Sequence, residues 1–228
     1  MTAFFDGYNI EISNPYHSFG CGKSTNGGES RRLFFNTYYE YNEIMNPTRV
    51  AVFIDNSNIY RYLNELRKID KGWICLYDPL KLAKKLAGGR TLVAVYFYCT
   101  PPPPQMLKTA DGKEKYSIQT KYYTEIQKLP GVEVKFGNLQ GAGGELKEKN
   151  LDTQLTANMI SLAAQNAFDT AVLVSNDRDC VSALEPTKNI FGKKIELVYF
   201  KGFISNSLLR LADVPRRARQ SFFERLNF

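Results

Sequence analysis

After position 48 short stretches rich in apolar residues are separated by longer stretches with helical spacing. The short stretches cover 49–54, 91–98, 132–136, 171–174 and 194–200, and are rich in β-branched and aromatic residues. The continuous apolar run at 49–54 predicts a parallel strand buried on both faces, and the others read as further strands. Between them, apolar residues recur every three or four positions. Over 58–69, Ile59, Tyr62, Leu63, Leu66 and Ile69 share one helical face. Asp78 followed by Pro79 predicts a capped helix over 78–86, ended by Gly88-Gly89. Further helices are predicted over 113–129, 151–167, 179–187 and 205–212. Repeated strand–helix alternation predicts an α/β fold, a mainly parallel sheet with helices on both faces.

Three regions break the pattern. Residues 1–44 are rich in Gly, Asn, Ser and Tyr with little periodicity, and read as an N-terminal extension, poorly ordered or appended. The folded unit then spans 45–214, and 215–228 reads as a basic and aromatic tail, apolar enough to dock on the body or on a second subunit as a homo-oligomer. Pro101–Pro104 cannot join a ladder or a helix interior and reads as a surface loop. The Gly-rich stretch 137–144 reads as a loop near the strand ends.

With 228 residues and 43% hydrophobic content, one α/β core is within reach. No apolar run is long enough to span a membrane, and no secretory signal pattern opens the chain. The four cysteines have no CxxC spacing and there is one histidine, which argues against a structural zinc site and against Ser–His or Cys–His hydrolysis. Scattered thiols in apolar contexts suit a reduced, cytoplasmic protein. The net charge is +7, and because residues 1–44 are acidic on balance, the positive excess belongs to the α/β unit. A basic body suits a phosphodiester substrate. Lys81, Lys84, Lys85, the lysines of 113–128 and Arg216, Arg217 and Arg219 are candidate RNA contacts, with Tyr122 and Tyr123 as stacking surfaces for unpaired bases.

Against that basic background stand acids at strand ends. Asp55 closes the first run, Asp177 and Asp179 follow the run at 171–174, and Asp152 opens the helical pattern at 151. Ligands of open parallel sheets bind at the carboxyl ends of strands, so these acids are expected to converge. Taken singly, each also has a structural use: Asp152 suits a helix N-terminus, and Asp177 and Asp179 can cap the next helix. Clustered carboxylates raise one another's pKa unless a cation offsets them, and an oxygen-only ligand set suits Mg²⁺ or Mn²⁺.

The set Phe53-Ile-Asp55-Asn-Ser-Asn58, Lys149-Asn-Leu-Asp152, Ala171-Val-Leu-Val-Ser175-Asn-Asp177-Arg-Asp179 and Gly192-Lys-Lys-Ile-Glu-Leu resembles the NYN domain, and within it the LabA-like branch of the PIN-like ribonucleases. The resemblance covers about 48–214. It implies a PIN-like fold and Mg²⁺- or Mn²⁺-dependent cleavage of RNA, with Asp55, Asp152, Asp177 and Asp179 as metal-site and catalytic acids. Asn58 and Ser175 match polar positions beside them, and Lys149 matches the basic residue before the helix acid, where it could meet a phosphate. Asn176 is a further candidate substrate contact, and Arg178 could bind phosphate or partly neutralise the cluster and weaken metal affinity. The chain departs from the family pattern at Asn176, Arg178, Cys180 and Asn158, the last standing where an additional acid is common. Arg178 and Asn158 also fit a non-catalytic RNA-binding adaptor, and a phosphatase acting on a small phosphate ester is a third reading.

Overall fold

The computed structural model describes residues 2–5, 8–11, 48–69, 76–140, 147–202, 204–223 and 225–226. The chain divides into two compact units, Met1–Met45 and Asn46–Phe228. In the first, β1 (Thr2–Phe5) and β2 (Tyr8–Glu11) pair antiparallel. This hairpin is absent from the sequence reading of 1–44. Residues 12–47, and with them most of that reading, lie outside the described residues.

The second unit is built on six parallel strands: β3 (Arg49–Asp55), β4 (Thr91–Cys99), β5 (Val132–Phe136), β8 (Thr170–Val174), β9 (Lys194–Phe200) and β10 (Val214–Ala218). Their order is β10-β9-β8-β3-β4-β5. From β3 the chain builds outward to β5, then returns to the other side of β3 as β8. The direction of winding therefore reverses between β3 and β8, and a crevice opens there at the carboxyl ends of the strands. A short antiparallel pair, β6 (Asn138–Gln140) with β7 (Lys147–Lys149), occupies much of the stretch read as a Gly-rich loop, while 141–146 lie outside the described residues.

Alternating strand residues feed two cores. Val50, Val52 and Ile54 face one side with Val95, Phe97, Val172, Val174, Val198 and Phe200. Ala51 and Phe53 face the other with Tyr96, Tyr98, Leu173, Ile195 and Leu197. The continuous apolar runs follow from this arrangement, since neither face of a central strand meets water. Helices α1 (Asn56–Ile69), α2 (Pro79–Ala87) and α3 (Ala110–Gln127) cover the first face through Ile59, Leu63, Leu82, Leu86 and Ile126. Helices α4 (Leu151–Ala164), α5 (Val181–Asn189) and α6 (Asn206–Leu211) cover the second through Leu151, Leu155, Met159, Leu184 and Leu208. The α2 start follows the local chemistry: the Asp78 carboxylate accepts from the N–H groups of Leu80 and Lys81, and Gly88 ends the helix at a φ of 62°.

Two sequence expectations are corrected. The stretch read as a tail from 215 instead begins inside an edge strand, β10, and a short helix α7 (Gln220–Phe223) follows. Phe223 and Leu226 are buried in the first core, and the Leu226 carbonyl accepts from the Asp78 N–H at 2.6 Å. Arg216 belongs to an ion triad: with Arg90 it flanks Glu196, whose side chain is only 2% exposed, at 2.7 and 2.6 Å. Tyr122 and Tyr123 are also core residues, 7% and 8% exposed, and the Tyr122 hydroxyl donates to the Tyr77 carbonyl. They pack with Phe97 because α3 turns its aromatic face inward, although Tyr123 also borders a pocket beside α1.

Candidate active site

Asp55 is the last residue of β3, and α1 begins at the next residue. The carboxylate is 3% exposed, yet three donors hold it. The Asn58 N–H donates to Oδ1 at 3.2 Å, the Asn58 side-chain amide donates to Oδ2, and the Ser175 hydroxyl donates to Oδ2 at 2.8 Å. Burial pushes the Asp55 carboxyl above its ordinary value; these hydrogen bonds pull the other way, and the Asp177 charge pushes it up further.

Ser175 connects two acids. Its Oγ, fully buried just beyond β8, also accepts from the Asp177 N–H at 2.9 Å. The Asp177 Oδ1 in turn accepts from the Asp179 N–H at 3.0 Å and opens a short 3₁₀ turn over Arg178–Cys180. The capping role expected of Asp177 is therefore present, and its other oxygen remains for a ligand. Asp152 arrives from the second core face. Asn150 takes a left-handed conformation at a φ of 74°, tolerated by asparagine, and the next residue starts α4. Leu151 is buried while Asp152 is exposed in the first turn.

Asp55, Asp152 and Asp177 each present a carboxylate oxygen, and these atoms lie within 4.8 Å of one another. Oxygens around one small hard cation sit roughly 3–4 Å apart, so side-chain movements of about 1 Å would complete such a shell. The donor chemistry fits a divalent ion, and so does the buried Asp55. Its donors favour the charged form while burial and Asp177 oppose it, a conflict that a nearby cation resolves.

The remaining expected site residues have distinct places. Asp179 is exposed and stands outside this trio of acids. The Asn176 amide is engaged by the backbone of β9, donating to the Phe200 carbonyl at 3.1 Å and accepting from the Phe200 N–H at 2.8 Å. It extends the β8–β9 contact past Val174 rather than pointing at the acids. Arg178 is exposed beside Asp177. The Lys149 backbone pairs with Asn138, and its side chain lies outside the described residues. Asn158, the position where an additional acid is common, lies further along α4, and the contact that sequence did not reveal is its amide donating to the buried Tyr98 hydroxyl at 2.8 Å.

Ser175→Ala should expose how far this wiring matters. It leaves Asp55 Oδ2 short of a donor and the Asp177 N–H without its acceptor, a loss of about 1–3 kcal/mol. In a Mn²⁺ titration followed by thermal shift, the apparent affinity should weaken roughly 10–100-fold. Unchanged urea stability and unchanged affinity would show that Asp55 is held without Ser175.

The family model for the NYN domain matches residues 49–216, which contain all four of these aspartates. The chain belongs to the NYN domain family. NYN domains are PIN-like nucleases, and this one carries the acidic cluster at the crevice of its sheet. The fold of this NYN protein is similar to the crystal structure of a protein of unknown function from Vibrio parahaemolyticus. The two share 19% identity with a TM-score of 0.54, over 77% of this chain and 96% of that one. The D-lactate dehydrogenase of Escherichia coli aligns over 78% of this chain and 63% of its own at 13% identity, with a TM-score of 0.21. No curated protein sequence matches. Among the described residues of this NYN protein, no helix is long and apolar enough to cross a membrane.

Proposed function

We propose that this NYN protein is a metal-dependent ribonuclease of the LabA-like branch that cuts internal phosphodiester bonds of single-stranded RNA. The observation that carries this reading is the meeting of Asp55, Asp152 and Asp177, from three separate elements, at the winding reversal of a PIN-like sheet. These three residues would hold Mg²⁺ or Mn²⁺. When bound, such an ion supplies Lewis acidity, activating water and offsetting charge that builds on the phosphate.

The chain's own residues do the rest. Ser175 and Asn58 favour the charged form of Asp55 and fix its rotamer. The Asp179 N–H fixes Asp177, and the exposed Asp179 carboxylate orients the attacking water and takes its proton. Water then attacks phosphorus in line with the leaving oxygen, and as the new bond forms the bond to the leaving oxygen breaks and that oxygen takes a proton from solvent. Arg178, exposed beside Asp177, meets the phosphate, and the resemblance implies the same role for Lys149. The buried Cys99 and Cys180, which form no disulfide among the described residues, fit a reducing compartment, and we place the protein in the cytoplasm.

A mixed single-stranded RNA pool provides the test. After chelation the protein should cut nothing, and added Mn²⁺ or Mg²⁺ should restore internal cleavage. RNA that binds but stays intact with every ion would overturn the nuclease reading in favour of the adaptor, for which Asn158 on Tyr98 and the exposed Arg178 would be the relevant features.

A further inference from the structure

On the first-core side of Asp55 lies a pocket of about 380 Å³. It begins at Asn56 and Ser57, directly after the buried acid, and follows α1 to Asn64, roughly 12 Å at the rise of an α-helix. The opposite wall is the segment Pro101–Pro103 with Thr100, immediately after β4. We propose that this pocket receives one unpaired base of the RNA strand, next to the phosphate bound at the acids. The inference rests on the ribonuclease reading above and names how that site selects its strand.

Four observations favour a base over other occupants. First, the lining residues of α1 alternate with its core residues: Asn56, Tyr60 and Asn64 share one face, while Ile59 and Leu63 occupy the other. Tyr60 is 38% exposed, so a large ring stands open at the pocket, while Tyr123, which also lines it, is buried. Second, three consecutive prolines form a rigid apolar wall whose backbone loses little freedom when a flat ring packs on it. Third, the amide of Gln119 borders the same space and is of the kind that meets the edge of a base. Fourth, the exposed Arg61 stands at the pocket and complements a flanking phosphate. The volume lies near the lower end for small-ligand sites, roughly 300–1,000 Å³, and suits a nucleotide-sized group rather than a duplex. The proline run, which reads from sequence only as a surface loop, thereby acquires a role as one wall of a base pocket.

The test removes the ring from the protein and the base from the RNA in the same cycle. Binding of a short fluorescein-labelled single-stranded RNA is measured by anisotropy in the Asp177→Asn background, where the strand stays intact. Adding Tyr60→Ala should weaken binding roughly tenfold or more, and adding Tyr60→Phe should change it by less than about twofold. RNAs lacking one base at a time should identify a position whose removal costs the Tyr60 protein the same factor and costs the Tyr60→Ala protein nothing further. If no position matters, or if the two losses multiply, the pocket does not hold a base. Cleavage mapping with Asp177 intact separates this from the parent reading. Persistent cuts without that pattern would overturn the pocket and leave the nuclease standing. The pattern without cuts in any ion would do the reverse. RNA that fails to bind at all would overturn both.

Discussion

Asp177→Asn is expected to lower RNA cleavage by more than about 100-fold while leaving the fold intact. Loss of a group that merely supports a metal ligand typically costs roughly 10–100-fold, and Asp177 is placed as a ligand itself. The substitution is nearly isosteric. The new amide retains an oxygen that accepts from the Asp179 N–H, so the turn over Arg178–Cys180 stays capped. What disappears is one negative charge beside Asp55 and Asp152. Thermal stability without metal should stay within about 0.5 kcal/mol of wild type, as for substitutions that break no buried contact. The stabilisation conferred by Mn²⁺ should shrink, because a ligand stabilises only as far as it binds the folded state. Wild-type cleavage by the purified Asp177→Asn protein would remove the acids from the mechanism.

The largest loss of stability is expected far from that site, at Arg90→Ala. Arg90 grips the buried Glu196 with two hydrogen bonds, Nη1 to Oε1 at 2.6 Å and Nη2 to Oε2 at 3.0 Å. Its guanidinium also donates to the Leu86 and Ala87 carbonyls at the end of α2. Removing one partner of a buried pair costs about 3–5 kcal/mol, because the other charge stays behind. Arg216 remains on Glu196, which puts the expected cost near the lower end, about 3 kcal/mol. For a domain of this size that corresponds to roughly 6–12 °C in Tm, and urea unfolding should show it as a lower midpoint at unchanged slope. Combining Arg90→Ala with Glu196→Leu should recover part of the loss, since the stranded charge is then gone. A cost below about 1 kcal/mol would mean that Arg216 alone suffices.

Most of the parallel sheet was legible because its central strands, buried on both faces, carry continuous apolar runs. Strands β5 and β9 coincide with the sequence runs at 132–136 and 194–200. Helix starts with local chemistry, Asp78-Pro79 and Ser205, were equally readable. The convergence of Asp55, Asp152 and Asp177 followed from strand ends and topology. What stayed hidden depended on partners distant in sequence. Strand β10 reads Val-Pro-Arg-Arg-Ala, and only the buried Glu196 explains why an arginine lies in it. Tyr122 and Tyr123 looked like surface rings because the turn of α3 toward Phe97 leaves no mark on a lysine-rich stretch. Asn176 looked like a substrate contact because a backbone partner at Phe200 is invisible to local pattern. The pocket at Tyr60 was missed for the same reason, since its walls come from α1, the segment after β4, and α3.

The return of the chain end to α2 separates two boundaries that are easily equated. The stretch recognisable as a NYN domain stops at residue 216, but β10 runs on to Ala218, and Phe223 and Leu226 complete the aromatic layer over Tyr62, Tyr77 and Phe200. The unit that folds cooperatively is therefore longer than the unit that kinship reveals. The final residues act as a latch that any shortening of the chain to its family segment would unfasten.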